Sequence, residues 1–194
     1  MIKTIKYLAI TIKFLAISIS AFAVDLIPSQ NLTEEKEMIL TVDLPSLEKK
    51  IGSWYLMRAK IDNKPVHYLI KYADEKIGNI DEDERKPYLM ISYINKNKQE
   101  ISIKPEINAP DGSNANLSVD GNQFLMISKN GTFWGKNEAT DFDLISEIIR
   151  SKILLFNSIR GDGSYSVDIY YLDKSSNALL ELIKISKQEN KLAN

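Results

Sequence analysis

Apolar and polar residues alternate with a period of two along most of residues 54–172, which is the spacing of β-strands with one buried face. The longest such run is residues 87–94, and here apolar side chains fall on both faces. A strand that is apolar on both sides belongs in the middle of a core. We therefore expect residues 87–94 to form a central strand.

Turn residues divide the whole pattern, residues 87–94 included, into about nine short strands. Asx-Gly pairs at residues 120–121 and 130–131 are typical of tight hairpins. Helical spacing occurs twice, once after a capping box formed by Thr140 and Asp143 and once from about Ser176. The pattern predicts a mainly β fold: an antiparallel β-sandwich of about nine strands, with a short inserted helix and a C-terminal helix.

The first 23 residues depart from this pattern and resemble a secretory signal peptide. Two lysines precede an apolar, small-residue run that ends in an A-x-A cleavage site at residues 21–23. A retained membrane anchor is the alternative, but Lys13 shortens the apolar stretch below the roughly 20 residues that span a bilayer. Residues 24–46 contain two prolines and a charged cluster and are predicted to be a tether. Residues 47–194 are then the folded domain.

Charge and cysteine content narrow the classes of function. Removing residues 1–23 takes away three lysines, so the formal net charge falls from −1 to −4. A mildly acidic domain lacks the basic patch by which proteins bind nucleic acid or anionic lipid. The chain has no cysteine, which excludes a disulfide scaffold and a lipid-modified bacterial lipoprotein. We expect neither a cofactor nor a metal site.

Five segments carry a family resemblance through their order and spacing. They are RKPYLMIS (residues 85–92), EISI (100–103), FWGKNEATD (133–141), SIRG (158–161) and YYL (170–172). Together they resemble the invasion-associated locus B family of alphaproteobacterial exported proteins, over about residues 50–186. The resemblance implies a β-rich periplasmic or envelope-associated domain, linked in some pathogens to entry into host cells. It implies no established catalytic residues.

The resemblance also implies a structural role for His67, the only histidine of the chain. Many members of the family have a cysteine at this position, and a second one near the C-terminal end at about Ser186. A bridge between these positions in the relatives would hold the last helix beside the strand that contains residue 67. We therefore expect His67 and Ser186 to be neighbours, within the roughly 7 Å between Cα atoms that a disulfide can span.

The other candidate residues each have a structural and a functional interpretation. His67 as a catalytic base or zinc ligand would need partners for which the sequence has no motif, so a structural role is favoured. Trp134 either anchors the corner before the inserted helix or offers an exposed platform. Arg160 begins an Arg-Gly-Asp triplet, the integrin-binding sequence, but by itself is a loop cation suited to a partner contact. The acidic run at residues 81–84 lacks the order of a calcium loop and is predicted to be solvated.

Three functions remain open from the sequence. The first is a non-enzymatic exported protein that binds an unidentified protein partner at the cell envelope or on a host cell. The second is a periplasmic carrier of a small ligand in the sandwich interior, and the third is a periplasmic hydrolase. A flat apolar surface would favour the first, a cavity above roughly 300 Å³ the second, and clustered carboxylates with shifted pKa values the third. The absence of a catalytic motif favours the interaction protein.

Overall fold

The computed structural model describes residues 45–61, 64–79, 85–95, 98–105, 107, 109–160 and 163–192. The predicted signal peptide, nearly all of the predicted tether and the acidic run at residues 81–84 lie outside these ranges. By its internal contacts the chain divides into two compact units, one of residues 47–57 and 67–194 and the other of residues 1–46 and 58–66. The side-chain interactions described below lie within the first of these units.

Eleven strands and two helices make up the described part of the chain. The strands are β1 (Ser46–Ile51), β2 (Trp54–Ile61), β3 (Lys64–Tyr72), β4 (Glu75–Gly78), β5 (Tyr88–Asn95), β6 (Lys98–Lys104), β7 (Asn114–Val119), β8 (Asn122–Lys129), β9 (Thr132–Gly135), β10 (Ile153–Ile159) and β11 (Tyr165–Tyr171). The helices are α1 (Glu138–Arg150) and α2 (Ser175–Leu192). All the strands belong to one antiparallel sheet, in the order β1-β2-β3-β5-β6-β9-β8-β7-β10-β11-β4. The predicted mainly β fold with an inserted and a C-terminal helix is confirmed.

The strand count exceeds the predicted number of about nine, and the two strands at the ends of the sheet order explain the difference. β1 exposes most of its side chains, so its sequence has no alternation of apolar and polar residues from which a strand could be predicted. β4 has the sequence EKIG, which is too short and polar to show an apolar alternation, and it pairs with β11 through the backbone. Gly78 is needed in this pairing, because a Cβ there would overlap the carbonyl oxygen of Tyr165.

A single curved sheet, in place of two separate ones, supplies both packing layers of the expected sandwich. Phe133 of β9 and Phe156 of β10 have two strands between them, so a flat sheet would hold them about 14 Å apart. Their rings instead meet edge to face, with centroids 5.1 Å apart. Two adjacent residues after β3 also connect distant parts of the sheet. The Ala73 N–H donates to the carbonyl of Pro87, just before β5, and the Asp74 N–H donates to a carbonyl of β11. The sheet therefore curls around its own core.

The strand predicted to be central is β5, which lies between β3 and β6. Every side chain from Tyr88 to Tyr93 is at least nine-tenths buried, on both faces of the strand. Leu89 joins the main core together with Leu117 and Phe156, which come from the far side of the curved sheet. The prediction of a strand buried on both faces is confirmed.

Helix α1 begins three residues earlier than its predicted capping box would place it. Its N-cap is Asn137, whose side-chain oxygen accepts a hydrogen bond from the Thr140 N–H at 2.9 Å. The prediction that Thr140 caps the helix is wrong, because asparagine is at least as good a cap and comes first along the chain. Apolar residues of both helices pack into the core: Leu144, Ile145 and Ile148 of α1, and Leu179 and Leu182 of α2. Neither helix of the described residues is long and apolar enough to cross a bilayer.

Candidate interaction surface

β10 and β11 each have one buried face and one face that is partly exposed. Side chains that point inward, such as Phe156 and Tyr170, are completely buried. The side chains between them point outward and are largely apolar, as is one residue of the neighbouring β4. We call this outward set the outer apolar face: Ile77, Ile153, Leu155, Ile159, Tyr165, Val167 and Tyr171.

The members of the outer apolar face lie opposite one another on adjacent strands, with the polar Asn157 among them on β10. Ile159 pairs with Tyr165, and Val167 pairs with Ile77. Ile159 is 75% exposed and Ile77 is 50% exposed. Burying one such side chain against a partner is worth about 1.5–3 kcal/mol. A contiguous exposed apolar area of this kind marks a surface for interaction.

Polar groups border the outer apolar face. The Tyr171 hydroxyl donates to Glu75 at 2.5 Å, and this hydrogen bond and the carboxylate charge raise the pKa of Tyr171. At the other end of β11, Asn79 accepts the backbone N–H of Tyr165 at 2.8 Å. An apolar centre with a polar border is the usual composition of a protein–protein interface.

The inward side of β11 carries a buried ion pair. The Arg85 guanidinium donates to Asp168 at 3.0 Å, and their side chains are 5% and 0% exposed. Arg85 also donates to the Pro105 carbonyl at 2.9 Å, and the Ser166 hydroxyl donates to Asp168 at 3.1 Å. Burial raises the pKa of Asp168, while the adjacent guanidinium favours its ionised form. The pair joins the start of β5 to β11, two distant parts of the curved sheet.

A second polar cluster contains a serine beside a lysine, an arrangement that some hydrolases use for nucleophilic attack. The completely buried Lys71 ammonium donates to the Ser53 hydroxyl at 2.8 Å and pairs with Asp74 at 2.8 Å. An ammonium held by a carboxylate is a donor to Ser53 and not the base that a nucleophilic serine requires. Asp74 also accepts the Tyr171 N–H at 2.6 Å. This cluster therefore ties the end of β3 to β11.

A third buried group is Asp141 in the first turn of α1. Its carboxylate accepts the backbone N–H of Ile101, on β6. Burial, and next the charge of Glu100, raise the pKa of Asp141 to about 7. Glu100 is itself paired with Lys98 at 3.2 Å. Gly135 leaves the space that Asp141 occupies, because a Cβ on Gly135 would overlap the carboxylate. The arrangement fixes the start of α1 against the sheet.

The structure places the two predicted partner contacts in different surroundings. Trp134 is half-buried on β9, and the residue that is completely buried at this corner is Phe133. The two side chains point to opposite sides of β9, and it is Phe133 that shares a pocket with Arg160. Arg160 follows β10, whereas Gly161 and Asp162 lie outside the described residues. The structure therefore does not gather Trp134 and Arg160 into one site.

His67 and Ser186 are both buried, at 3% and 7% exposure. His67 Nδ1 lies 3.5 Å from the carboxylate of Glu189 on α2. Residues three apart share a helix face, so Ser186 lies on the same side of α2 as Glu189. The strand that carries His67 is thus next to the last helix, and the direct proximity of His67 to Ser186 stays a prediction.

The double substitution H67C/S186C is expected to form an intramolecular disulfide. Because the bridge would close a long loop, it should raise the free energy of unfolding by about 2–4 kcal/mol over the reduced form. The measurement is thiol counting with denaturation in the presence and absence of a reductant. H67C/L180C is the matched control, since Leu180 is 65% exposed on α2, and it should keep its thiols. Free thiols in oxidised H67C/S186C would contradict the predicted proximity.

Comparison of the chain with protein-family models, with curated proteins and with solved structures finds no match in any of the three.

Proposed function

We propose that this protein is a non-enzymatic exported protein of the invasion-associated locus B type, which binds a protein partner in the periplasm or at the cell envelope. The outer apolar face is the observation that carries the proposal. It is a sheet surface with half-buried apolar side chains at its centre, strongly exposed isoleucines at the end of β10 and on β4, and polar groups at its border. Proteins that act by docking expose such surfaces, since their apolar side chains gain free energy only when a partner covers them.

The buried polar clusters support the non-enzymatic part of the proposal. Lys71 and Arg85 are each paired with a carboxylate and hydrogen-bonded to further protein groups. These interactions join separate strands, so the buried charges stabilise the fold. The signal-peptide pattern and the segments shared with the exported family support a location outside the cytoplasm. A contribution to host-cell interaction follows the same family resemblance.

The substitution I77K is expected to weaken partner binding by about tenfold or more, because it replaces one of the most exposed apolar side chains of the outer apolar face by a charge. Lysine is well tolerated on an edge strand such as β4, so the fold should survive. The measurement is affinity capture from crosslinked cells, alone and with host cells, followed by titration of the captured partner with purified protein.

L180K provides the matched control, because Leu180 is similarly exposed but lies on α2 and not on the outer apolar face. It should bind the partner as the unmodified protein does. Equal binding by I77K and L180K would show that the face is not the binding surface. Capture of a second copy of this chain, lost in I77K, would assign the face to self-association.

A further inference from the structure

The described residues enclose a small pocket where the end of β10 meets the segment before β7. Its volume is about 200 Å³, and its apolar lining comes from Ile107, Ala109, Pro110, Phe133 and Ile159. This is below the roughly 300 Å³ at which pockets hold drug-sized ligands. The pocket lies at the end of β10 and borders the outer apolar face, because Ile159 belongs to both.

Two polar side chains that line the pocket each have a buried atom without a hydrogen-bond partner in the protein. Ser158 is 3% exposed, and its buried hydroxyl makes no hydrogen bond. The Nε–H of Arg160 is likewise buried and unpaired. Among the described residues, no carboxylate forms an ion pair with the Arg160 guanidinium. Buried donors without acceptors are uncommon in folded proteins, and each has its hydrogen bond restored if a ligand supplies an acceptor.

The chemistry of these groups defines the ligand. A guanidinium presents parallel N–H donors that match the two oxygens of a carboxylate. One guanidinium and one hydroxyl can bind a group with a single negative charge. A phosphate monoester carries a second charge, which the apolar lining would leave without a partner. A cavity of about 150 Å³ accommodates benzene, so a pocket of this size holds one ring together with a carboxylate. We propose that this pocket binds a small monocarboxylate whose apolar part is no larger than a benzene ring.

Benzoate is the probe for this site, and calorimetric titration of the purified protein is the measurement. Binding in the micromolar to millimolar range is expected. R160Q should weaken it by about tenfold or more, because the charge-assisted pair is lost. Benzamide has the same shape without the charge and should bind more weakly by a similar factor. Octanoate should also bind more weakly, because its chain exceeds the pocket.

Variants with matched controls separate binding from folding. A109L fills the pocket without touching a charged group and should abolish benzoate binding. S158A should weaken binding by a few-fold without lowering the melting temperature, since it removes a hydroxyl that has no partner. R150Q removes an exposed arginine on α1 and should bind as the unmodified protein does. No heat of binding at about 10 mM benzoate, or equal affinity of R160Q and R150Q, would overturn the proposal.

Discussion

Replacing Arg85 by methionine is expected to lower the free energy of unfolding by about 3–5 kcal/mol at neutral pH. The substitution leaves the completely buried carboxylate of Asp168 without its cation, and an uncompensated buried charge is strongly destabilising. The loss should shrink as the pH falls, because a protonated Asp168 carries no charge. Denaturant unfolding of the variant at several pH values measures both effects.

R150M is the control for this prediction, since Arg150 pairs with Glu147 at 2.6 Å but its side chain is 66% exposed. An exposed pair contributes at most about 1 kcal/mol, so this variant should be nearly as stable as the unmodified protein. The double variant R85M/D168L should recover much of the loss, because both buried charges are gone. Equal losses in R85M and R150M would mean that the buried pair does not hold the two parts of the sheet together.

The unmodified protein is expected to lose stability as the pH rises from about 4 to 7, and the substitution D141N is expected to abolish this loss. The pKa of Asp141 is 3.8 when unperturbed and about 7 in the folded protein. Between these values the folded protein holds a proton that the unfolded chain has lost, so stability falls as the pH rises. The full fall amounts to about 4 kcal/mol, at 1.36 kcal/mol per unit of pKa. Because asparagine does not ionise, the D141N variant should be more stable than the unmodified protein at pH 8.

Unfolding free energies measured from pH 4 to pH 8 test this expectation. D143N, at an exposed position two residues further along α1, is the matched control and should retain the pH dependence of the unmodified protein. If the D141N curve runs parallel to that of the unmodified protein, Asp141 does not titrate in this range.

The hydrophobic pattern predicted those parts of the fold that depend on burial. Residues 87–94 have apolar side chains on both faces, and the strand observed there is the buried β5. β1 and β4 escaped prediction because backbone hydrogen bonds, available to any sequence, hold these edge strands. The cap of α1 was misplaced because Asn137 and Thr140 both resemble caps, and only the backbone conformation distinguishes them.

The candidate site was less accessible to sequence reasoning. β10 contains the run Ile153 to Phe156, apolar on both faces just as β5 is, yet one of its faces is only half-buried. The same pattern therefore describes a buried strand and a docking surface, and only the positions of other elements decide between them. Arg160 could be singled out as a loop cation. The partnerless hydroxyl of Ser158 could not, because a serine within a strand is ordinary.

The short connection between β3 and β4, formed by Ala73 and Asp74, has a consequence for how the chain folds. β4 follows β3 directly in sequence, but its only ladder partner in the sheet order is β11, close to the C-terminal end. This pairing cannot form until residues 165–171 have been synthesised, so it adds contacts of high sequence separation and raises the contact order. Folding is slow in sheets of this type, and incomplete chains expose an unpaired edge that favours aggregation. A chaperone that holds the chain unfolded until it is complete would suit this topology.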